Sequence, residues 1–507
     1  MNRTIKLTVI LLVGLLFFQN SLFSQSFDAP FSKKNMYKDL TVFKQIREKA
    51  NSGLYKYRTK RQIDSIYNWA YNQVEKSTTY GEFYNIISQL TDYEGSLHNG
   101  TWLSNKVYKS LNTETGYFPL QVKVITNKLI VNAKGSKIPL GSEILTINTN
   151  NIADVIENFN KYYTTDGYII APKRFSLTRK FNKYYRMHYG KQKTFAISYR
   201  EHNANQIKKI VIDGISYKAS KENFKKRYSK NYDSISYKDL KVKEMYTFKK
   251  LDKNTSVLSF HSFDFGGNED TKEYKEFVMF LDSVFATLKK DNTKNLIVDV
   301  RHNGGGSDPN EVVTYEYLTK RNFSENKSAW ISFKKIPYLR YVDTKVPRFL
   351  RPIGVIKYNK MFQKAFPIEK DGKFYEGDDN YDHKIRKPHK NAFQGKIYLL
   401  IGSETASAGS NFASLLANDE NTTIIGEETC GGYFGHNGHT PLSYILPKSK
   451  IKTFFSVVNL LQYVEQRKGQ IYGRGILPDY YVTQSYEDFI KHKDTQMEFT
   501  LKLIQQK

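Results

Sequence analysis

The sequence predicts a multidomain α/β protein whose C-terminal half is built on a mostly parallel β-sheet covered by helices. Its 507 residues, 39% of them hydrophobic, are enough for two to four domains with cores of their own. Apolar residues recur at helical spacing before residue 110, alternate as in strands from 118, and form buried runs between amphipathic helices from about 254. In sheets of this last kind, functional groups gather beyond the carboxyl ends of the strands.

The first 24 residues differ from everything that follows. They have a basic start, an unbroken apolar run from Leu7 to Phe18 and then small polar residues, which is typical of a secretory signal peptide cleaved near Ser24 and Gln25. An uncleaved membrane anchor is the alternative, although the run is shorter than the roughly 20 residues that span a bilayer. We expect an exported protein, periplasmic or extracellular, without stable membrane insertion after cleavage and membrane-associated only if the leader is retained.

The formal net charge of +28 is compatible with nucleic acid, membrane surfaces or acidic partners. The lysines are spread along the chain without a repeated module or an RNP-like aromatic pattern, so we predict a well-solvated surface and no nucleic-acid binding. A preference for acidic or cell-surface partners stays open. The single cysteine, Cys430, excludes an internal disulfide, so stability must come from packing.

Residues 25–112 are predicted to form a helical N-terminal region. "RQIDSIYNWAYNQV" places Ile63, Tyr67, Ala70 and Val74 on one face, and "GEFYNIISQL" repeats the pattern. The second helix leads into "TDYEGSLHNGTWL", a polar turn that carries His98.

Two β-rich segments follow. Residues 113–190 contain the alternating stretch "FPLQVKVI", a glycine turn, a further strand and a helix, which predict a small β module with one helix. Residues 191–250 combine a predicted hairpin with the very basic "KASKENFKKRYSKNYDSISYKDLKVK", and we interpret them as a basic connector with a solvated surface.

Residues 251–490 carry the α/β pattern, and 491–507 are predicted to be a C-terminal helix. "SVLSFHSF", "KNLIVDVRHNGGGS", "GKIYLLIG", "NTTIIGEETCGG" and "IKTFFSVVNLLQY" predict strands, while "EYKEFVMFLDSVFATLKK" predicts an amphipathic helix. Unusual loops follow three of these strands directly.

The first two loops suit chemistry on an oxyanion. In "DVRHNGGGS" three glycines let the backbone approach a ligand and point N–H groups at it, although a plain glycine turn explains them too. In "GSETASAGSNFASLL" a serine lies where a helix begins and its free N–H groups favour negative charge. That is the logic of a nucleophile elbow without the G-x-S-x-G form, and simple helix capping by Ser407 or Ser410 is the alternative.

The third loop, "GEETCGGYFGHNGH", permits several interpretations. Cys430 has no oxyanion partner in the pattern, and a loop thiol is more often inert. His436 and His439 lack a matching ligand cluster in the sequence, so we predict neither a metal site nor a cofactor.

Together these motifs resemble the tail-specific protease family, which includes carboxy-terminal processing peptidases and the tricorn core. "LIVDVRHNGGG", "TASAGSNFA", "IIGEETCGG" and "GRGILPD" are similar to the family's motifs in order and spacing over roughly 250–485. The resemblance implies a crotonase-like catalytic core over 251–490 and a PDZ-like module over 113–190 that binds an extended peptide by strand addition.

Carried over to this chain, the resemblance implies Ser407 as nucleophile, with Ser403 and Ser410 as the other choices. It implies an oxyanion hole from the backbone N–H of Ala408 and of a glycine, Gly304 or Gly305, within the loop that ends at Gly306. Substrate contacts are expected at His436 and Asn437.

Two departures from the family bear on the base. The catalytic lysine of processing peptidases would fall on Gly432. The acidic residue that the family has three positions after the serine is replaced here by Ser410. Tricorn-like members use a histidine from the helical region instead, which corresponds to His98, although a turn histidine without function is the alternative. His436 is the second candidate for the base. Their orienting carboxylate would fall on Tyr472, so Glu465 is the nearest acidic candidate.

The sequence therefore predicts an exported serine peptidase of the tail-specific type, an endopeptidase acting on polypeptides by acyl transfer with a histidine base. The alternatives are a catalytically inactive protease fold that binds peptides or cell-surface polymers, and a non-proteolytic hydrolase on the same scaffold. The oligomeric state, the third catalytic residue and the role of the 320–394 insert stay open.

Overall fold

The computed structural model describes residues 26–230, 240–307, 309–344, 346 and 351–506, with the backbone alone for 351–353. The predicted signal peptide and its cleavage site lie outside these residues. Within them, no helix is both long enough and apolar enough to cross a membrane.

The N-terminal part consists of four helices and one short strand. Thr59 and Thr79 each begin a helix with a capping box, in which the side chain of Gln62 or Glu82 bonds back to the cap. The elements are α1 (Lys33–Ala50), α2 (Lys60–Lys76), α3 (Tyr80–Tyr93), β1 (Gly100–Trp102) and α4 (Asn105–Thr113).

A second unit is an antiparallel sheet with two helices packed on it. Its strands are ordered β2-β3-β4-β6-β7, with β5 on β4. Most of the buried apolar residues of both helices share one core with the strands. The elements are β2 (Val122–Ile125), β3 (Lys128–Val131), β4 (Glu143–Ile147), β5 (Asn150–Asn151), α5 (Ile152–Phe159), α6 (Ala171–Tyr189), β6 (Thr194–Arg200), β7 (Ile207–Asp213) and, after the sheet, α7 (Tyr217–Lys225).

The third unit is a six-stranded, mostly parallel sheet that fits the α/β pattern of the sequence. Its order is β19-β15-β14-β10-β9-β8, and only β8 runs antiparallel. Its first elements along the chain are β8 (Tyr246–Lys250), β9 (Thr255–Phe260), α8 (Lys272–Lys290), β10 (Asn295–Asp299) and α9 (Asn310–Glu316).

An insert follows, and then the chain returns to the parallel sheet. The insert contains β11 (Asn326–Ile331), α10 (Arg351–Ala365), β12 (Ile368–Lys370) and β13 (Lys373–Tyr375). The later elements are β14 (Lys396–Ile401), α11 (Ala408–Ala417), β15 (Thr422–Gly426), β16 (Pro441–Ile445), β17 (Lys452–Ser456), β18 (Asn459–Gln462), β19 (Tyr480–Tyr481), α12 (Tyr486–Lys491) and α13 (Thr495–Gln505).

Helices cover both faces of the parallel sheet. Helices α8, α9 and α11 share one core with the strands, and α13 packs on the opposite face through Leu503 against Tyr398 and Leu400. A sheet buried on both faces explains the nearly unbroken apolar runs of β10 and β14.

The segment "IKTFFSVVNLLQY" is not the single strand that its apolar content predicts. It forms β17, in the sheet β1-β17-β16, and β18, in the sheet β12-β13-β11-β18. Val457 and Val458, between the two strands, are fully buried, so the apolar run continues through a change of sheet. Strand β1 thereby pairs with β17, with Gly100 opposite Phe454, and this attaches the N-terminal helices to the C-terminal half of the chain.

Candidate active site

Ser407 lies in a strained turn between β14 and α11. Its backbone has φ 51° and ψ −132°, a region that residues with a side chain rarely occupy. The turn is fixed to the loop after β10, because Ala406 donates its N–H to the carbonyl of Asn303 at 3.0 Å and Thr405 donates its hydroxyl to the carbonyl of Val300 at 2.8 Å. This is the geometry of a nucleophile elbow, in which strain holds the hydroxyl at the head of a helix.

The structure brings His98 to Ser407 across a sequence separation of 309 residues, with 3.2 Å between Nε2 and Oγ. His98 lies in the turn between α3 and β1, and two contacts fix that turn. Gly100 pairs with Phe454 on β17, and the N–H of Leu97 donates to the Asp166 carboxylate at 2.9 Å. The pair satisfies the hydrogen-bond distance expected between a nucleophile and its base.

Burial keeps the imidazole neutral. Desolvation lowers the pKa of His98 to about 4, although the backbone of Asn437 acts to raise it. His436 stacks on His98 with 4.7 Å between ring centroids, and burial holds its pKa well below the ordinary value too. At neutral pH both rings are uncharged, so Nε2 of His98 is able to accept a proton from Ser407.

The glycine loop after β10 lies directly against the serine. Gly305 has φ +105°, and a Cβ at this position would lie 2.6 Å from the Cβ of Ser407. Its N–H donates to the side chain of Asn303, whereas the N–H of Gly304 has no hydrogen-bond partner among the described residues. Because Ala408 is the first residue of α11, its N–H has no acceptor within the helix. Gly304 and Ala408 therefore offer the free donors.

Asp166 connects the turn that carries His98 with the loop that contains Gly432, and the sequence did not indicate this role. One carboxylate oxygen accepts the N–H of Leu97 and the other accepts the N–H of Gly432, each at 2.9 Å. Burial raises its pKa to about 6 against the opposing effects of these bonds and of Lys56. Its dipeptide, Asp166-Gly167, signals only a turn, so no sequence pattern indicated this role.

The loop that holds the cysteine and the two histidines forms a wall of the site. Gly432 occupies the position of the missing lysine and is held by Asp166. His436 and Asn437 are only 3% and 1% exposed, so both side chains are covered in this conformation and do not face a substrate. The carbonyl of His436 accepts a hydrogen bond from the ammonium of Lys56, whose pKa burial lowers to about 8.

Glu465 is not placed to orient His98, which corrects the prediction for the third residue. Its side chain is exposed, and its backbone bonds to Asn418 and to the hydroxyl of Tyr433. No described carboxylate bonds to Nδ1 of His98, whereas the backbone of Asn437 interacts with the imidazole and acts to raise its pKa. Tyr472 donates its hydroxyl to the carbonyl of Lys56 at 3.0 Å, so it does not orient the imidazole of His98 either.

The other candidate nucleophiles are engaged or unreactive. Ser403 donates to Glu427 at 3.0 Å and Ser410 donates to the carbonyl of Ser407 at 2.8 Å. Burial strongly raises the pKa of the Cys430 thiol, which therefore stays protonated.

One cluster could hold a metal ion away from Ser407. Ligand atoms of Glu376, Asp382 and His439 lie within 4.8 Å of one another. Without an ion, Glu376 already bonds to His439 at 2.9 Å and to His383 at 3.2 Å, so the buried carboxylate is satisfied by two histidines. These carboxylates come from the insert, far from His439 in sequence.

A serine on a strained elbow, a neutral histidine at hydrogen-bond distance and free N–H donors beside them define the class of the serine hydrolases. Residues 257–482 match the model of peptidase family S41. The match over this segment confirms the predicted resemblance to the tail-specific proteases, a family of serine peptidases.

Solved structures agree on the fold. A serine-to-alanine mutant of CPAF is 13% identical, with a TM-score of 0.60 over 90% of this chain and 94% of that one. Mature CPAF complexed with lactacystin is 12% identical, with a TM-score of 0.57 over 94% and 98%. No curated protein matches the sequence.

Proposed function

We propose that the protein is an exported serine endopeptidase of the tail-specific type, with Ser407 as nucleophile and His98 as general base. The observation that carries the proposal is the 3.2 Å distance between His98 Nε2 and Ser407 Oγ at the elbow. Export rests on the leader alone, which lies outside the described residues.

Acyl transfer would proceed in two halves. Ser407 Oγ attacks the peptide carbonyl while His98 Nε2 takes its proton and then gives it to the leaving amine, which leaves an ester on Ser407. In the second half His98 Nε2 takes a proton from water as the water attacks the ester carbonyl, and it gives that proton to Ser407 Oγ as the bond to the acyl group breaks. A neutral imidazole in the free enzyme is required for the first step, and the pKa of about 4 supplies it at neutral pH.

The tetrahedral oxyanion would be held by the N–H of Ala408 and that of Gly304. Both donors belong to backbone that is already fixed, so they need no rearrangement as charge develops. Of the two glycines predicted, Gly304 is the better choice, because the N–H of Gly305 is taken by Asn303. One such donor is typically worth about 3 kcal/mol of the barrier.

In contrast to the tricorn-like proteases, no described carboxylate orients the ring of His98. Stacking on His436 and the fixed turn through Leu97 hold the ring of His98 in place. The PDZ-like module was predicted over 113–190, but β6 and β7, from the predicted connector, belong to the same sheet. We propose the antiparallel unit of β2 to β7 as this module, which would bind an extended peptide by strand addition.

Labelling with a fluorophosphonate probe tests this function. We expect the folded wild-type protein to be labelled and Ser407→Ala to be unlabelled, because the probe reacts with an activated serine. Ser403→Ala is the matched control and should be labelled at the wild-type rate. Folded wild-type protein that takes up no label would favour an inactive, peptide-binding protease fold.

His98→Ala tests the base. Loss of general base catalysis should slow labelling by about 10²–10⁴-fold. His436→Ala, which removes the stacked ring and keeps the base, should cost far less. An unchanged rate in His98→Ala, with a slow His436→Ala, would transfer the role of base to His436.

A further inference from the structure

A cavity of about 600 Å³ opens beside the catalytic pair and plays no part in the chemistry described above. Leu97 and Asn99, the neighbours of His98, line it, as does Ala406, which precedes Ser407. On the far side it is bounded by α6 and α7. A polypeptide whose scissile bond lies at Ser407 would therefore pass this cavity.

The cavity concentrates positive charge. The cavity is lined by four lysines, Lys161, Lys180, Lys183 and Lys221. None of the four forms an ion pair with a described carboxylate. Arg179, the fifth cation, is partly neutralised by Glu404 at 3.5 Å. Asp92 attracts Lys161 but forms its own ion pair with Lys173.

Lys161 and Lys183 are partly buried, whereas Lys180 and Lys221 are exposed. Burial lowers the pKa of Lys161 and of Lys183 to about 8, and Lys183 is also opposed by the charges of Lys180 and Lys221. The ammonium groups lie over tyrosine rings, with Lys161 5.4 Å from the ring centre of Tyr162. Partly buried cations such as Lys161 and Lys183 gain most from an anionic ligand, since burial destabilises a charge that has no ion-pair partner.

We propose that this cavity, defined by the four lysines, recognises acidic side chains of the peptide substrate next to the bond attacked by Ser407. The inference rests on the proposed peptidase function. Ionised carboxylates would bind as partners of the ammonium groups, while the tyrosines contact the aliphatic part of the peptide.

Binding to the uncleaving Ser407→Ala protein tests the proposal without requiring turnover. The probes are two fluorescein-labelled peptides of equal length, one of glutamate and one of glutamine, measured by fluorescence anisotropy at low salt. We expect the glutamate peptide to bind about tenfold tighter or better, and the double change Lys180→Gln with Lys183→Gln to remove that difference.

The matched control removes two charges elsewhere. Lys253 and Lys275 are exposed, lie outside the cavity and form no ion pair with a described residue, so Lys253→Gln with Lys275→Gln should leave the preference for glutamate unchanged. Equal binding of the two peptides, or equal loss in both double variants, overturns the proposal. Tighter binding of heparin than of the glutamate peptide, through Lys180 and Lys183, would also overturn it in favour of a polymer ligand.

The fluorophosphonate rate separates this proposal from the peptidase assignment. The cavity double variant keeps Ser407 and His98 and should be labelled as fast as wild type. Normal labelling without a preference for glutamate supports the peptidase function and contradicts the recognition of acidic side chains. Absence of labelling with intact glutamate binding supports the recognition of acidic side chains and contradicts the peptidase function.

Discussion

At the scale of the residue, the site depends on a histidine kept neutral by burial. His98 lies between Ser407 and the ring of His436, and no described carboxylate bonds to its Nδ1. A carboxylate partner would raise the pKa of the imidazole, whereas desolvation alone lowers it. The protein thus gains a base that stays unprotonated well below neutral pH, at the cost of lower intrinsic basicity.

The pKa of His98 predicts an unusual acid limit. Because the neutral ring is the active form, the labelling rate should stay level from pH 8 down to about 6 and fall as the pH drops through about 4. Labelling rates across this range measure it. A midpoint near 6.5, the ordinary value for histidine, would contradict it.

Folding must be followed in the same experiment. His98 and His436 are buried neutral, and the unfolded chain binds more protons than the folded one below about 6.5, so stability declines as the pH falls from there. Circular dichroism at each pH separates loss of the base from loss of the fold.

Asp166 provides a second test at this scale. Asp166→Ala would leave two buried N–H groups, of Leu97 and Gly432, without an acceptor, at about 1–3 kcal/mol each. We expect a lower melting temperature and slower labelling, because the turn that carries His98 loses its anchor. Asp166→Asn keeps one acceptor and should retain more of the rate. Wild-type labelling in the alanine variant would show that the anchor is dispensable.

At the scale of the element, the loop after β10 and the start of α11 form one unit. The loop accepts the N–H of Ala406, and Gly305 lies against Ser407 with a backbone conformation that favours glycine. The helix begins immediately at Ala408, so the strained turn, the free N–H and the nucleophile lie within two residues. Chemistry at Ser407 depends on how closely these two segments approach.

Two neighbouring glycines test that approach. Gly305→Ala would place a Cβ 2.6 Å from the Cβ of Ser407 and require φ +105°, so we expect loss of labelling and of stability. Gly304→Ala is the matched control: its Cβ meets nothing within 4 Å, and alanine keeps the N–H donor. Equal labelling of the two variants would contradict this arrangement, and unfolding temperatures show whether Gly305→Ala still folds.

At the scale of the whole molecule, the two ends of the chain share a core. Buried residues of the N-terminal helices contact the insert and the strands that follow the active-site loop, as in the cluster that contains Ile46, Phe333 and Phe455. The base, His98, belongs to the N-terminal part of the chain, and the nucleophile, Ser407, belongs to the C-terminal half. The catalytic pair therefore exists only when both parts are folded together.

The shared core predicts coupled unfolding. Ile46→Ala should lower the free energy of unfolding by about 2–5 kcal/mol and shift the urea midpoint of labelling and of circular dichroism by the same amount. Met279→Ala, at an exposed position on α8, is the control and should shift neither. A labelling midpoint that stays fixed while the circular dichroism midpoint falls would show independent units.

Local patterns were informative wherever one segment carries its own signal. The apolar runs of β9, β10, β14 and β15 and the amphipathic pattern of α8 appear in the structure as predicted. The change of sheet between β17 and β18 was missed, because an apolar run does not reveal which sheet buries it. Glu465 was misplaced for a related reason: nearness to a motif in sequence does not determine which way a side chain points.

The sequence by itself determined the resemblance to a peptidase family, the parallel sheet and the order of the loops, because each depends on residues that are contiguous in the chain. It also nominated Ser407 and His98, through their resemblance to the family's motifs. Only the tertiary structure decided their distance, the low pKa of the imidazole, the anchoring role of Asp166 and the unpaired lysines beside the site. These properties arise from burial and from contacts between residues hundreds of positions apart, and chain folding alone creates them.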